Sequence, residues 1–343
     1  MLLVIIGSTL SLGTALSVTS IPLIIYTTYK IDPRNYLQRF VKLIFYIALI
    51  SIILFTIIRL FGFNSFSGIF PHLYTSFYRE GQVYSYGGFL YRFVTLHSDR
   101  NCGPFGEPGQ YQCVLAVALY FTLFRPLLFK EKERMLYMIV FFFALITTLS
   151  TSGYISLSIL IFCFLLHSSK ATNKRMKKIY IAMIIGTVFF MSTTELGSEF
   201  LNTVVFHKIY ANGQLDFSLS SGGARTISIS SVLSTIYHHP ITLVGVGYDE
   251  LRNMGVEGCA GFLFLLLAIG IMPFSILFGF CFYQVFKYNK GIWDIIVRIL
   301  LVINMGLGQP HIINFALFTM MLYPYFIVNS FKKTRISLSL IHI

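Results

Sequence analysis

The residues able to do chemistry in this chain are gathered in two hydrophilic stretches, 62–110 and 194–259. Together they hold six bases (Arg79, Arg92, Arg100, Lys208, Arg225 and Arg252) and nine acids. Arginine stays protonated and presents a planar fork of donors, which suits phosphate oxygens. Arg225 follows Ser221, Gly222 and Gly223, which are turn-forming residues. Residues 224–238 then fit one amphipathic helix, with Ile227, Val232, Leu233 and Ile236 roughly on one face. A cation in a first turn opposes the helix macrodipole, so Arg225 requires a compensating partner or an anionic ligand. Pro240 ends that helix, and Gly245 and Gly247 permit positive φ or close backbone approach. His238, His239, Asp249, Glu250 and Glu257 are the groups in the same stretch able to act as a general base, which must come within about 3 Å of its proton.

Other chemistries are excluded. His238 and His239 are adjacent, point to different helix faces and make a poor metal pair. No Cys/His cluster has zinc spacing, and there is neither a P-loop nor a Gly-x-Gly-x-x-Gly turn after a strand. No metal or nucleotide cofactor is expected. In the first stretch, aromatics alternate over 82–93, as in a short strand or an amphipathic segment lying on a membrane interface. Interface anchoring and stacking on sugar rings both explain them.

The elements that must position these residues follow from composition. The 343-residue chain is 56% hydrophobic and 11% charged, with mean hydropathy +0.75. Soluble chains carry roughly 25% charged residues, so this one lacks the polar surface to wrap a soluble globule of its size. An all-α polytopic membrane protein is expected, because a crossing helix needs about 20 mostly apolar residues. Such runs occur near 2–28, 40–61, 111–129, 135–150, 153–168, 179–193, 260–286, 292–308 and 312–330, about nine transmembrane helices in a single membrane domain, residues 1–343. Continuous rather than alternating runs exclude a β-barrel. Residues 1–28 lack a basic leader and read as a first span rather than a cleaved signal. The fourth and fifth runs form a tight hairpin or one long bent span.

Charge sets the orientation. Segments 29–43, 125–134, 169–178, 285–291 and 331–343 carry 18 Lys/Arg and three acids. By the positive-inside rule they face the cytoplasm, with the C-terminus, and the two long loops lie outside. The net charge of +13 is then an orientation signal, and no nucleic-acid partner is implied. Arg59 and Arg298 lie near span ends and are expected to snorkel, Asp294 to sit at the inner boundary, and His311 to face either the outer interface, which is favoured, or the catalytic pocket. Of five cysteines, Cys102 and Cys259 share the oxidising side, where a disulfide between them is one option.

The order SGGAR, amphipathic helix, HHPITLVGVGYDEL, then a span beginning GFLFLLLAIGI resembles the O-antigen polymerase/ligase superfamily of bacterial membranes. The matching positions are Arg225, Pro240, Gly245, Gly247, Phe262 and Gly270. Upstream, RNCGPFGEPGQYQCVLAVALYF resembles that family's Arg-x-x-Gly-x-Phe-x-x-Pro approach to a span, through Arg100, Gly103, Phe105 and Pro108. STSG at 150–153 is a third echo, without the family's basic residue. The resemblance implies a polysaccharide polymerase of the bacterial cytoplasmic membrane. It would transfer a growing glycan from a polyprenyl diphosphate onto a lipid-linked repeat unit at the outer face. It further implies Arg225 as the diphosphate ligand, Arg100 as a second cation and Glu257 as the base. Arg79, Arg92, His238, His239, Gly245 and Gly247 would contact substrate. A chain-length regulator and a flippase are the implied partners. The ligases' His-Asn pair is replaced by Glu257-Gly258-Cys259-Ala260, which favours polymerase over ligase. A flippase or transporter of lipid-linked glycan is the rival from another class; it would show interrupted helices and ionisable residues within spans.

Overall fold

A computed structural model describes residues 12–33, 35–65, 72–74, 84–167, 210–211, 214–215, 245–253, 261–288, 291–308 and 314–323, with scattered residues between 178 and 234. The described chain is mostly helical and resolves into two compact units. The first comprises residues 19–160, 281–305 and 313–343; the second comprises 1–18, 161–280 and 306–312. The expected amphipathic helix over 224–238, together with Arg79, Cys259 and His311, falls outside the described residues.

In the first unit, α1 (Leu12–Ile31) leads into α2 (Tyr36–Phe61). At 26 residues, α2 is long and apolar enough to cross a membrane. Gly62 closes it at φ +78, returning its N–H to the Ile58 carbonyl at 2.9 Å. Three short strands follow: β1 (His72–Tyr74), β2 (Tyr84–Gly87) and β3 (Arg92–Val94). They form one antiparallel sheet in the order β1-β2-β3, with Tyr86 opposite Phe93. The alternating aromatics are therefore strands. Their rings pack on the end of α2: Tyr91, Phe93 and Ile58 make a small core with Leu54, Phe55, Phe63 and Tyr86.

The helix α3 (Pro108–Phe124) starts with Pro108 in its first turn and is buried at every residue but Gln110. A helix apolar on all sides belongs inside a bundle. It packs against α4 (Glu131–Thr147), which also packs on α2. Glu131 and Glu133 in the first turn of α4 complement its macrodipole. The fourth and fifth apolar runs are separate helices: α4 stops, Leu149 adopts φ +48, and α5 (Thr151–Leu166) begins. The helix α9 (Ile292–Gly308) and a helical stretch over 315–323 complete this unit.

Side-chain ties fix helix direction. Tyr120 and Arg125, at the end of α3, meet Asp294, near the start of α9. Gln112, near the start of α3, meets Ser152 and Ser156, which in turn meet Asn304 of α9. So α3 and α9 run in opposite directions.

In the second unit, α6 (Tyr248–Asn253) precedes α7 (Gly261–Ile269), and Gly270 at φ +83 separates α7 from α8 (Ile271–Lys287). The expectation of one crossing helix over 260–286 is corrected here. In a continuous helix Phe262 and Phe278 would lie about 24 Å apart along the axis, at 1.5 Å per residue. Their ring centroids are 5.1 Å apart, so α7 folds back on α8. Only α8, 17 residues long, is left to span. The backbone explains the break: Gly270 takes a conformation that L side chains rarely adopt.

Candidate functional site

Around the starts of α3 and α5, the sequence RNCGPFGEP folds into a compact knot with Asn101 at its centre. The Asn101 amide donates to Ser51 at 3.2 Å and Thr147 at 3.0 Å, and its carbonyl oxygen accepts the Gly103 N–H at 3.0 Å. Its own N–H reaches the Thr147 carbonyl at 2.9 Å. Ser51 is also hydrogen-bonded to the Tyr111 hydroxyl at 2.7 Å. One buried amide thus ties the loop to α2, α3 and α4. Gly103 adopts φ +54 with the Tyr111 ring pressed against it, where an added Cβ would lie 2.7 Å from the ring. Phe105 stacks on the same ring at 5.8 Å. Arg92 joins the knot through its backbone N–H, which donates to the Gly103 carbonyl at 2.6 Å.

This scaffold brings two arginines within electrostatic reach of one thiol. Arg92 and Arg100 both act electrostatically on the Cys102 thiol, along with Glu107 and Asp99. Arg100 also acts on His97 and on Tyr154, in the first turn of α5. Its nearest carboxylate is Asp99 at 3.8 Å, beyond hydrogen-bond range, and the Nε groups of both Arg92 and Arg100 are buried without a hydrogen-bond partner. Donors so placed can still donate to an anion's oxygens. Two helix N-termini, those of α3 and α5, open at the same end of the unit and favour negative charge there.

The remaining groups at this end are not nucleophiles. Cys102 is a buried free thiol, pushed up to about 12 by burial, so it stays protonated. Burial also pushes the Tyr91 phenol up, with Cys102 adding to the shift. His97 is held below the ordinary histidine range by burial, reinforced by Arg100 and opposed by Asp99, which keeps it neutral near pH 7.

The other sequence-expected residues divide. Arg225, Arg79, His238, His239 and Glu257 lie outside the described residues. Gly245 and Gly247 are described, and their close approach is to α7. The Val246 N–H donates to Leu267 at 3.1 Å and the Gly247 N–H to Ala268 at 2.9 Å. These carbonyls are among those orphaned by the break at Gly270. A Cβ on Gly245 would stand 2.3 Å from the Leu267 oxygen. In this arrangement the Gly-x-Gly stretch clasps the broken helix, and its N–H groups are already engaged. Gly245→Ala is expected to cost about 1–3 kcal/mol by overpacking against backbone, read as a lower Tm in detergent, with Val246→Ala milder. STSG is likewise a packing feature: Gly153 lets α5 approach Gln112, where a Cβ would lie 3.2 Å from the Gln112 Cβ.

Two sets of residues escaped the sequence reading. Asn101 is one, and its position inside the Arg-x-x-Gly motif was the available signal. Asn101→Ala, by leaving buried partners unsatisfied, is expected to destabilise by about 1–3 kcal/mol and to disorder the Arg100 loop, measurable as faster amide exchange over residues 98–107. The second is a buried charge cluster at the opposite end of the unit. Arg125 donates to both Asp294 oxygens at 2.8 Å, Arg298 to one at 2.6 Å, and Tyr120 to one at 2.7 Å. Tyr323 accepts from the Arg125 Nε. Asp294 and Arg298 are both 0% exposed, so Arg298 does not snorkel and Asp294 is not at a wet boundary. Arg59 is exposed in the last turn of α2. Among the described residues, no group of His, Cys, Asp and Glu is arranged to hold a metal ion.

No family model matches the chain, and no curated protein or solved structure is similar to it.

Proposed function

We propose that this chain is a multi-pass membrane glycosyltransferase that polymerises glycan repeat units carried on polyprenyl diphosphate. In this reading about nine helices cross the bacterial cytoplasmic membrane, with α8 alone as the seventh crossing and α7 folded back beside it. The ends rich in lysine and arginine, including the C-terminus, face the cytoplasm. Residues 62–110 and 194–259 lie outside. The observation that carries the reading is that Arg92 and Arg100 both act on the Cys102 thiol and that each has a buried Nε donor left unpartnered. A departing diphosphate bears two or more negative charges, and stabilising such a leaving group is commonly the largest catalytic term. Arg100 and Arg92 are the cations proposed at this site, and Arg225, outside the described residues, is a further proposed diphosphate ligand. Glu257 is the proposed base for the acceptor hydroxyl. A chain-length regulator and a flippase are the proposed partners.

A second reading, a flippase of lipid-linked glycan, is favoured by two observations that the sequence did not disclose. One is the helix broken at Gly270, the other the buried Arg125–Asp294–Arg298 cluster. Discontinuous helices and intramembrane charges are what transporters use. Against it, the Asp294 carboxylate is fully engaged and the break is clasped by Val246 and Gly247, although the Arg298 Nη1 is buried without a hydrogen-bond partner. The deciding experiment supplies the purified protein, in vesicles, with a synthetic diphosphate-lipid repeat unit. Longer oligomers formed without nucleotide or metal support the polymerase. Movement of the lipid between leaflets with no product supports the flippase.

A further inference from the structure

We infer that the β2–β3 hairpin tip, Gly88-Phe89-Leu90, is an anchor inserted into the membrane interface, and that it sets the depth of Arg92. The inference rests on reading Tyr36–Phe61 as a membrane span; it does not depend on the reaction catalysed.

The tip is built to project. Gly87 takes φ +119, and a Cβ there would meet the Tyr91 carbonyl oxygen at 2.3 Å, so the hairpin can only turn this tightly with glycine. The Gly88 N–H closes the turn on the Tyr91 carbonyl at 2.9 Å. That leaves Phe89 99% exposed and Leu90 51% exposed. Hairpin corners are ordinarily Asn, Asp or Gly. A phenylalanine with its whole ring in water forfeits about 25 cal/mol for each Å² of apolar surface left uncovered.

The base of the hairpin fixes where that ring lies. Phe93 stacks on Phe63 with ring centroids 3.9 Å apart and planes 2° from parallel, and both pack with Leu54, Phe55 and Ile58 of α2. The hairpin is therefore attached to the last turns of a helix whose 26 residues extend about 39 Å. A bilayer's hydrocarbon core is about 30 Å thick. The last turns of α2 then reach the headgroup layer, and the hairpin is held there with them. Leu60 and Phe61, at the end of α2, are 72% and 67% exposed, so the apolar surface of the span continues through the last turn. Arg59 on α2 and Arg92 on β3 supply cations at this level. An apolar tip on an aromatic base with arginines beside it is the composition of an interfacial anchor. The occupant the tip fits is the acyl–headgroup boundary of the bilayer that α2 crosses.

The test uses the full chain carrying Trp293→Phe and Phe89→Trp, so that the single tryptophan reports on the tip. It is reconstituted in phosphatidylcholine/phosphatidylglycerol vesicles and freed of unbound protein by flotation. The expected result is a blue-shifted emission, quenched several-fold more strongly by lipids brominated near the headgroup than by lipids brominated near the chain end. Aqueous iodide should have little effect. Leu90→Trp in the same background provides a second reporter. Strong iodide quenching without bromolipid quenching would place the tip in water and overturn the inference. Resistance to both quenchers would place it against protein and also overturn it. Failure to float would remove the span itself, a result separable from either.

Discussion

An Asp294→Ala protein is expected to lose about 3–5 kcal/mol of stability, the cost of removing one partner from a buried ion pair. Asp294 is the only acid touching Arg125 and Arg298 among the described residues, and all three side chains are buried. Its removal leaves two guanidinium groups in a low-dielectric interior with only neutral oxygens to face among the described residues: the Tyr120 and Tyr323 hydroxyls and the carbonyls of Phe124, Val285 and residue 294 itself. The mirror-image change behaves differently. Arg298→Met removes the surplus positive charge and leaves Asp294 paired with Arg125 and Tyr120, so its cost is expected to be a fraction of that of Asp294→Ala. A triple change to apolar residues at 125, 294 and 298 should recover most of the stability, since well-packed hydrophobic replacements of buried ion clusters are often neutral or better. Thermal unfolding in detergent ranks the three variants. If Arg298→Met proves as damaging as Asp294→Ala, the charge-balance argument fails.

That cluster also marks how far the sequence could be read. Asp294 was visible as the one acid of thirteen outside the loops and the basic segments. Its i+4 relation to Arg298 placed the two on one helix face. What could not be read was Arg125, which is separated from Asp294 by 169 residues and tied to it only by the antiparallel packing of α3 and α9. The runs 40–61, 153–168 and 292–308 were legible to within a few residues because hydrophobic length is a local property. The run 260–286 was not, because uniform hydropathy hides a fold-back: Gly270 looks the same in a straight helix as in a hinge. The Arg-x-x-Gly-x-Phe-x-x-Pro motif was legible as a motif and opaque as a mechanism. Its glycine and phenylalanine prove to grip the Tyr111 ring, its proline starts α3, and Asn101, at one of the motif's unspecified positions, holds the loop. Gly245 and Gly247 were legible as positions of close approach, but sequence could not say that the approached group was the backbone of α7.

The second large effect expected is on chain extension. Arg100→Ala should lower the rate at which lipid-linked repeat units are joined by roughly a hundred- to a thousandfold, or about 3–4 kcal/mol, the loss typical of one preorganised donor at a developing charge. Its effect on folding should be small. The Arg100 Nε makes no hydrogen bond, its ion pair with Asp99 is long at 3.8 Å, and part of the side chain is solvated. Exposed pairs of this kind contribute at most about 1 kcal/mol. Activity and stability therefore separate at this residue, whereas at Asn101 they should fall together. Arg100→Lys keeps the charge but not the planar fork, so it should recover only part of the rate. Arg92→Ala should be milder, because Arg92 contributes the same charge to the site from the neighbouring strand while its backbone N–H still holds Gly103. The measurement is the length distribution of product made from a defined diphosphate-lipid substrate, alongside a melting curve of the same preparation. An Arg100→Ala protein that melts normally and extends chains at the parental rate would take the diphosphate away from this arginine. The unpartnered donors would then have to be assigned to a ligand that is present with or without the reaction, such as the phosphate of a bilayer lipid.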